Sequence, residues 1–197
     1  MTGEGLLNLN ERIKSEAAEL WPGKRLVFGE GGINSAVVMI GEAPGGDEER
    51  EGRPFVGKAG KNLSEFLRAA NLCREDIYIT NVVKLRPSCP SPKTGREINR
   101  QPNAEEKNFF IPFLFEEIRI ISPRLIVTLG NIALKAVLGE ESPGVGCLHG
   151  KVIPFGDFKV FPLYHPAAVI YNQSLKSVYN DDILAAGAYI RGDRPSS

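Results

Sequence analysis

Three stretches of this chain combine residue types that a plain connecting loop does not need. The first, Gly41 to Gly60, reads Gly-Glu-Ala-Pro-Gly-Gly-Asp-Glu-Glu-Arg-Glu-Gly-Arg-Pro-Phe-Val-Gly-Lys-Ala-Gly. Gly41, Gly45 and Gly46 around Pro44 let the backbone turn tightly and approach a ligand closely. Its spacing fits neither GxGxxG nor GxxxxGK[ST], because Gly57-Lys58 is followed by Ala59, so a phosphate-binding loop is disfavoured. Phe55 is the lone aromatic of the stretch and offers a flat apolar face. The second stretch, Asn81 to Pro102, opens on a side-chain amide that carries both an acceptor and a donor. The third, Tyr164 to Tyr171, contains His165-Pro166; the other histidine, His149 in Leu-His-Gly, has no comparable context. A histidine ring N–H can stabilise negative charge that develops on a leaving group. Each residue also has a plain structural reading: core packing for Phe55, a strand-capping turn for Asn81.

The elements that must position these residues can be read from periodicity. Leu6 to Leu20 has helical spacing, as do Ala59 to Ala70 and Leu175 to Arg191. Asn103 and Glu106 form a capping-box pattern ahead of a helix that ends near Ile121 and presents Phe110, Phe113, Leu114 and Ile118. Asn131 is expected to cap a helix through Leu138. Arg25 to Phe28 is a short apolar run. Ala36 to Ile40, Ile77 to Thr80 and Leu125 to Leu129 read as strands, the first and last covered on both faces. Lys151 to Pro154 and Phe158 to Phe161 flank Gly156-Asp157 like a hairpin, and Arg86 to Pro102 reads as a long Pro-rich loop. Strands alternating with helices imply an α/β fold whose functional loops leave the carboxyl ends of a mostly parallel sheet. The three chemical stretches are those loops.

With 197 residues the chain is expected to form one domain, residues 1–197. No apolar run reaches the length needed to span a bilayer, and Met1 to Glu11 lacks the pattern of a secretory signal. No membrane association, a cytoplasmic location and a monomer are therefore the expectations. The three cysteines, Cys73, Cys89 and Cys147, form neither a disulfide framework nor a CxxC pair, so no metal and no cofactor are expected. Formal net charge is zero, which argues against a non-specific nucleic-acid coat but not against a protein that touches few phosphates. Lys84, Arg86, Lys93, Arg96 and Arg100 stand against the single acid Glu97, whereas Asp47 to Glu51 is acidic apart from Arg50. Either stretch can also be read as a solvated loop.

The loop Gly41 to Gly60 resembles the first motif of the family 4 uracil-DNA glycosylases, Gly-Glu-Ala-Pro-Gly, acids, then Gly-x-Pro-Phe-Val-Gly-x-Ala-Gly. The likeness continues through Thr80-Asn81-Val82-Val83-Lys84, Asn99-Arg100-Gln101-Pro102, Pro123 to Leu138 and His165-Pro166-Ala167-Ala168, covering roughly Val27 to Tyr171. It implies a three-layer α/β/α sandwich around a four-stranded, mostly parallel sheet. It also implies an enzyme that flips uracil out of DNA and hydrolyses its N-glycosidic bond, with uracil-containing DNA as partner and free uracil as product. Asn81 then complements N3–H and O4 of uracil, Phe55 stacks on the ring, and His165 donates to O2. Gly41, Glu42, Ala43 and Gly45 complete the base site. The carboxylates nearest the attacking water are Glu42 and Glu48, between which the sequence does not choose. Lys84, Arg86, Arg96, Arg100, Ala167 and Ala168 are the expected DNA contacts.

This chain departs from the family at identifiable places. Members usually hold an iron–sulfur cluster on four cysteines, yet no cysteine precedes Val27, and Leu85 and Phe110 stand at two of the positions. Some relatives place an aspartate where this chain has Ala43. A related branch attaches covalently to its product through a loop histidine, for which this chain has Asn99, so ordinary turnover is expected. No motif positions a lysine for strand cleavage. The family's arginine after His-Pro-Ala-Ala-x-x is Tyr171, which changes the expected contact to DNA. Two other readings stand beside hydrolysis: a binding relative with weak or no catalysis, and an unrelated α/β hydrolase or nucleotide binder.

Overall fold

Strands apolar at every position need cover on both faces, and the fold supplies it. The structure, a computed structural model, describes residues 2–192. In chain order its first elements are α1 (Thr2–Leu20), β1 (Val37–Gly41), α2 (Gly46–Glu51), α3 (Lys58–Ala69) and β2 (Tyr78–Asn81). Next come β3 (Ser88–Pro90), β4 (Glu97–Asn99), α4 (Ala104–Ile121), β5 (Leu125–Leu129) and α5 (Asn131–Leu138). The last are α6 (Val145–Leu148), β6 (Ile153–Phe155), β7 (Phe158–Leu163), α7 (Pro166–Tyr171) and α8 (Leu175–Arg191).

Residues alternate across the sheet and so build two cores. Val38, Ile40, Ile126 and Val160 pack with Leu9 and Ile13 of α1 and Phe110, Leu114 and Ile118 of α4. Val37, Met39, Val127, Phe161 and Leu163 pack with Leu63 and Leu67 of α3 and Tyr179 and Ile183 of α8. The α/β/α sandwich is therefore as expected, but the sheet has five strands in the order β2-β1-β5-β7-β6 rather than four. Four are parallel; the fifth, β6, folds back antiparallel on β7 through the turn at Gly156. The hairpin was legible in the sequence, but its first arm also lengthens the sheet. No described helix is long and apolar enough to cross a membrane.

Several local expectations hold and others fail for physical reasons. Asn103 Oδ1 accepts from the Glu106 N–H at 2.8 Å, and Glu106 Oε2 accepts from the Asn103 N–H at 2.8 Å, closing the capping box of α4. Asn131 is no cap: α5 begins at it behind Gly130, and its Oδ1 instead accepts from the Val145 N–H at 2.7 Å. The Pro-rich loop is not wholly irregular, because β3 and β4 form a two-stranded antiparallel ribbon.

Lys84 is the largest correction. It lies at 0% exposure in the core, out of reach of any phosphate. Its Nζ donates to Glu117 Oε2 at 2.7 Å, to Thr80 Oγ1 at 2.6 Å and to the Asn81 carbonyl at 2.8 Å. Tyr78 Oη also donates to Glu117 at 2.8 Å, and burial, then the Glu117 charge, push its ionisation well above the usual range. An unpaired buried charge is far costlier than an ion pair. Replacing Lys84 by Met should therefore lower stability by about 3–5 kcal/mol; an unchanged urea midpoint would contradict this network.

Candidate active site

Gly41 and Asn81 are paired residues at the carboxyl ends of adjacent parallel strands, so the β1–α2 and β2–β3 loops open on the same edge. His165 follows β7 at that edge. There the loops enclose a cavity of about 310 Å³ lined by Ala43, Gly45, Asp47, Glu48, Phe55, Lys58, Asn81, Asn99, His165 and Ala167, among others. Phe55, Asn81 and His165, separated in sequence, meet here. Asn81 is 3% exposed, and its side-chain amide takes no partner among the described residues. Gly41 lies directly beneath the site: any side chain there would run into the Phe55 ring and the Asn81 amide.

Phe55 is held in a left-handed backbone conformation (φ 53°), which costs a residue with a side chain about 1–2 kcal/mol. The surroundings impose it. Arg74 Nη2 donates to the Pro54 carbonyl at 2.6 Å, and Gly60 packs so closely that any side chain there would meet the Phe55 carbonyl. Glu48 supplies the third constraint. Its Oε1 accepts from the N–H groups of Val56 (3.1 Å) and Gly57 (2.8 Å), and its Oε2 accepts from Gly45 N–H at 3.1 Å. Gly45 and Gly57 are the N-caps of α2 and α3, so one carboxylate ties both helix starts around the cavity. Glu48 thus lines the cavity, but both its oxygens are already engaged. Because Gly45 N–H goes to Glu48, it is not available to a ligand. Glu42 is half-buried outside the cavity lining, and burial raises its carboxyl above the usual range.

His165 N-caps α7 with its own side chain: Nδ1 accepts from the Ala167 N–H at 3.2 Å. An accepting Nδ1 places the ring proton on Nε2. Burial lowers the pKa of His165 to about 4, against a smaller opposing pull from Glu48, so the ring is neutral at pH 7. Its ring centre lies 6.1 Å from that of Phe55. Gly130 (φ 91°) ends β5 against the His165 Cβ, where no larger residue fits without displacement. His149 is elsewhere, with Nδ1 2.8 Å from Asp182 Oδ2.

Most of the expected DNA cations are committed within the protein. Arg86 is largely buried and donates to Asn99 Oδ1 (2.7 Å), Glu49 (3.1 Å) and the Glu97 carbonyl (3.2 Å), pinning the β3–β4 ribbon over α2. Arg100 grips Glu106 through two hydrogen bonds of 2.7 and 2.8 Å. Arg96 is exposed on the ribbon, Ala167 lines the cavity, and Ala168 is half-buried beside it. Sequence reasoning missed Lys58, Asp47 and the Asn99 side chain as cavity residues. Lys58 and Asp47 lay inside the quoted motif, which was the available signal; Asn99 depends on a ribbon that periodicity did not reveal.

Residues 28–185 match the family model described as the uracil DNA glycosylase superfamily. The chain belongs to that superfamily. It is 39% identical to a type-4 uracil-DNA glycosylase of Thermotoga maritima, over 84% of this chain and 83% of that protein. It is 38% identical to one of Sulfurisphaera tokodaii (87% and 80% covered) and 39% identical to one of Pyrobaculum aerophilum (81% of each).

The neutral His165 also sets a pH dependence. Its folded pKa lies below the ordinary 6.5, so the stability it contributes is fully present above 6.5 and is lost as pH falls towards 4. The loss should approach roughly 2–3 kcal/mol. Urea unfolding at pH 7.5 and 4.5 should show wild type losing more stability than His165→Asn, whose amide can still cap α7. Equal losses would refute a neutral buried ring.

Proposed function

We infer that this enzyme binds uracil extruded from DNA in the Phe55–Asn81–His165 cavity and hydrolyses its N-glycosidic bond, leaving an abasic site for base excision repair. The observation that carries the reading is the convergence of one aromatic face, one unpartnered amide and one neutral histidine on a cavity of nucleobase size. Phe55 stacks on the ring. Asn81 offers its acceptor to N3–H and its donor to O4, whereas cytosine would present the opposite order and leave both groups mismatched, at a cost of a few kcal/mol. His165 Nε2–H donates to O2 as negative charge grows there, and a neutral donor needs no counter-ion.

The complementary positive charge grows on the sugar. Glu48 and Asp47 line the same cavity, and their carboxylates favour an oxocarbenium-like centre electrostatically. With Ala43 at the third motif position and Glu48 engaged by three N–H groups, the attacking water is held rather than strongly deprotonated. We assign DNA backbone contact to Arg96, Lys58 and the rim at Ala167 and Ala168, with the protein acting as a monomer and in the cytoplasm. Lys84 is instead a buried support, and Arg86 and Arg100 are paired with acids of the protein itself.

The residues present do not fit the iron–sulfur cluster of family 4. Leu85 and Phe110, at two ligand positions, are buried, and Trp21 stacks on Phe110 at 5.7 Å and meets Phe109 edge-on at 5.0 Å. Cys73 and Cys147 are exposed, and no group of three or more metal-ligating side chains is assembled among the described residues. Purified protein should be colourless, without the broad absorbance near ~400 nm or the stoichiometric iron of a cluster; bound iron would overturn this assignment.

On a uracil-containing oligonucleotide the products should be free uracil and a strand that breaks only after alkali or heat. An SDS-resistant protein–DNA band would show covalent trapping instead. His165→Ala should slow single-turnover excision by roughly 10²–10³, the cost of one preorganised donor. Phe55→Ala should lose about 1–3 kcal/mol in kcat/KM, and Asn81→Asp should cut uracil excision sharply while cytosine gains relative to it. If wild type excises nothing yet binds uracil-containing DNA, the chain is a binding relative.

A further inference from the structure

The chain's one tryptophan, Trp21, stands outside the base cavity and lines a second cavity of about 320 Å³. Helical spacing builds the first wall. Lys14, Ala17, Ala18 and Trp21 recur at i, i+3, i+4 and i+7, so the last turns of α1 present one face to the cavity. The Trp21 N–H donates to the Ala17 carbonyl at 2.8 Å, which carries that face past the end of the helix. The second wall is extended chain. After the turn at Gly23 (φ 78°), the Val27 N–H donates to the Lys84 carbonyl at 2.7 Å and Leu26 bridges Leu85. Alternation then puts Leu26 and Phe28 on the cavity and Val27 in the interior. The small side chains of Ala17 and Ala18 leave the space between the walls open.

Trp21 is only half-buried. Phe110 stacks on it at 5.7 Å and Phe109 meets it edge-on at 5.0 Å, which holds the indole in one orientation while the rest of it faces the cavity. Charge at this place has a single sign. Lys14, Lys24 and Arg25 line the cavity, and no acid does so among the described residues. Lys24 has no hydrogen-bonded or ion-paired partner among them. Glu106, whose carboxyl senses the Lys24 charge, is already gripped by Arg100. Arg25 commits Nη1 to the Arg50 carbonyl at 2.7 Å. Lys14 meets Glu11 at 2.5 Å and lies over the Phe28 ring at 5.6 Å, but its ion pair is exposed and holds weakly against a competing anion.

An aromatic face beside cations with no balancing acid complements a ligand that is planar at one end and anionic at the other. A nucleotide has that form. The bond from Arg25 to Arg50 also ties this wall to α2, whose first residues line the base cavity, so both cavities open along one stretch of protein.

We propose that the Trp21 cavity binds a nucleotide, with its base against the indole and its phosphate at Lys24 and Arg25. The nucleotide is either free or one unit of a DNA strand whose extruded base lies in the Phe55–Asn81–His165 cavity. Only the second source rests on the glycosylase reading above.

Because Trp21 is the sole tryptophan, its emission reports on this cavity directly. The probes are thymidine monophosphate, an oligothymidylate, thymidine and inorganic phosphate. The monophosphate should quench Trp21 saturably, whereas thymidine or inorganic phosphate alone should bind at least about tenfold more weakly. Lys24→Ala should weaken the monophosphate by roughly two- to fivefold, the worth of one exposed ionic contact. Ala18→Leu, at an exposed position where leucine suits a helix, should fill the cavity and abolish the quenching with an unchanged urea midpoint. An oligothymidylate that binds more tightly than the monophosphate, and less tightly as salt rises, identifies a DNA strand as the source. One that binds no more tightly identifies the free nucleotide. Absence of saturable quenching by either probe overturns the proposal, as does quenching that Ala18→Leu and Lys24→Ala leave intact. Thymidine or inorganic phosphate acting as strongly as the monophosphate overturns it too, by marking a plain apolar or anion patch. Competition by free uracil would do the same, since it places the binding in the base cavity. None of these readouts needs cleavage, so an inactive wild type would refute the hydrolytic reading and leave this one to its own result.

Discussion

Lys84 and Glu117 face each other at 2.7 Å with almost no solvent contact, and the Asn81 side of the cavity hangs on that pair. Glu117 comes from α4 and Lys84 from the loop after β2, so their attraction clamps the strand that ends in Asn81 against the helical layer. Lys84 also donates to the Asn81 carbonyl, which fixes the backbone from which the Asn81 amide projects. Buried ions are tolerable only when every hydrogen-bonding position is filled, and Thr80 and Tyr78 fill the remainder. The network therefore specifies one orientation of the β2 terminus as well as stabilising it.

The other half of the site is organised by a second carboxylate. Glu48 gathers N–H groups from Gly45, Val56 and Gly57, and so draws the two ends of the long β1–α3 connection onto one point. The strain at Phe55 persists because this anchor, Arg74 and the close approach of Gly60 leave the ring no relaxed alternative. An aromatic face fixed before any ligand arrives loses little conformational entropy on binding.

Electrostatics complete the division of labour. Burial keeps His165 neutral, and its use of Nδ1 as a helix cap sends the proton to the ring nitrogen that a ligand can meet. The carboxylates of Glu48 and Asp47 line the same cavity. The cavity therefore presents a neutral N–H donor together with negative charge.

Much of this was legible from residues alone. Apolar runs with period-independent burial specified strands covered on both faces, and Asn103 with Glu106 specified a helix start, because both signals are local. The motif from Gly41 to Gly60 with Asn81 and His165 singled out three loops, and the fold brings Phe55, Asn81 and His165 from them to one cavity. Tertiary structure alone decided what the charges do. Lys84, Arg86 and Arg100 look identical in sequence to phosphate-binding cations, and only the approach of Glu117, Glu49, Asn99 and Glu106 commits them to partners within the protein. Glu48 and Glu42 were likewise indistinguishable until three N–H groups converged on one of them. Side-chain charge is a property of the residue, but its partner is set by what the fold brings within about 3 Å, and Glu117 and Glu49 lie 33 and 37 residues along the chain from the cations they meet.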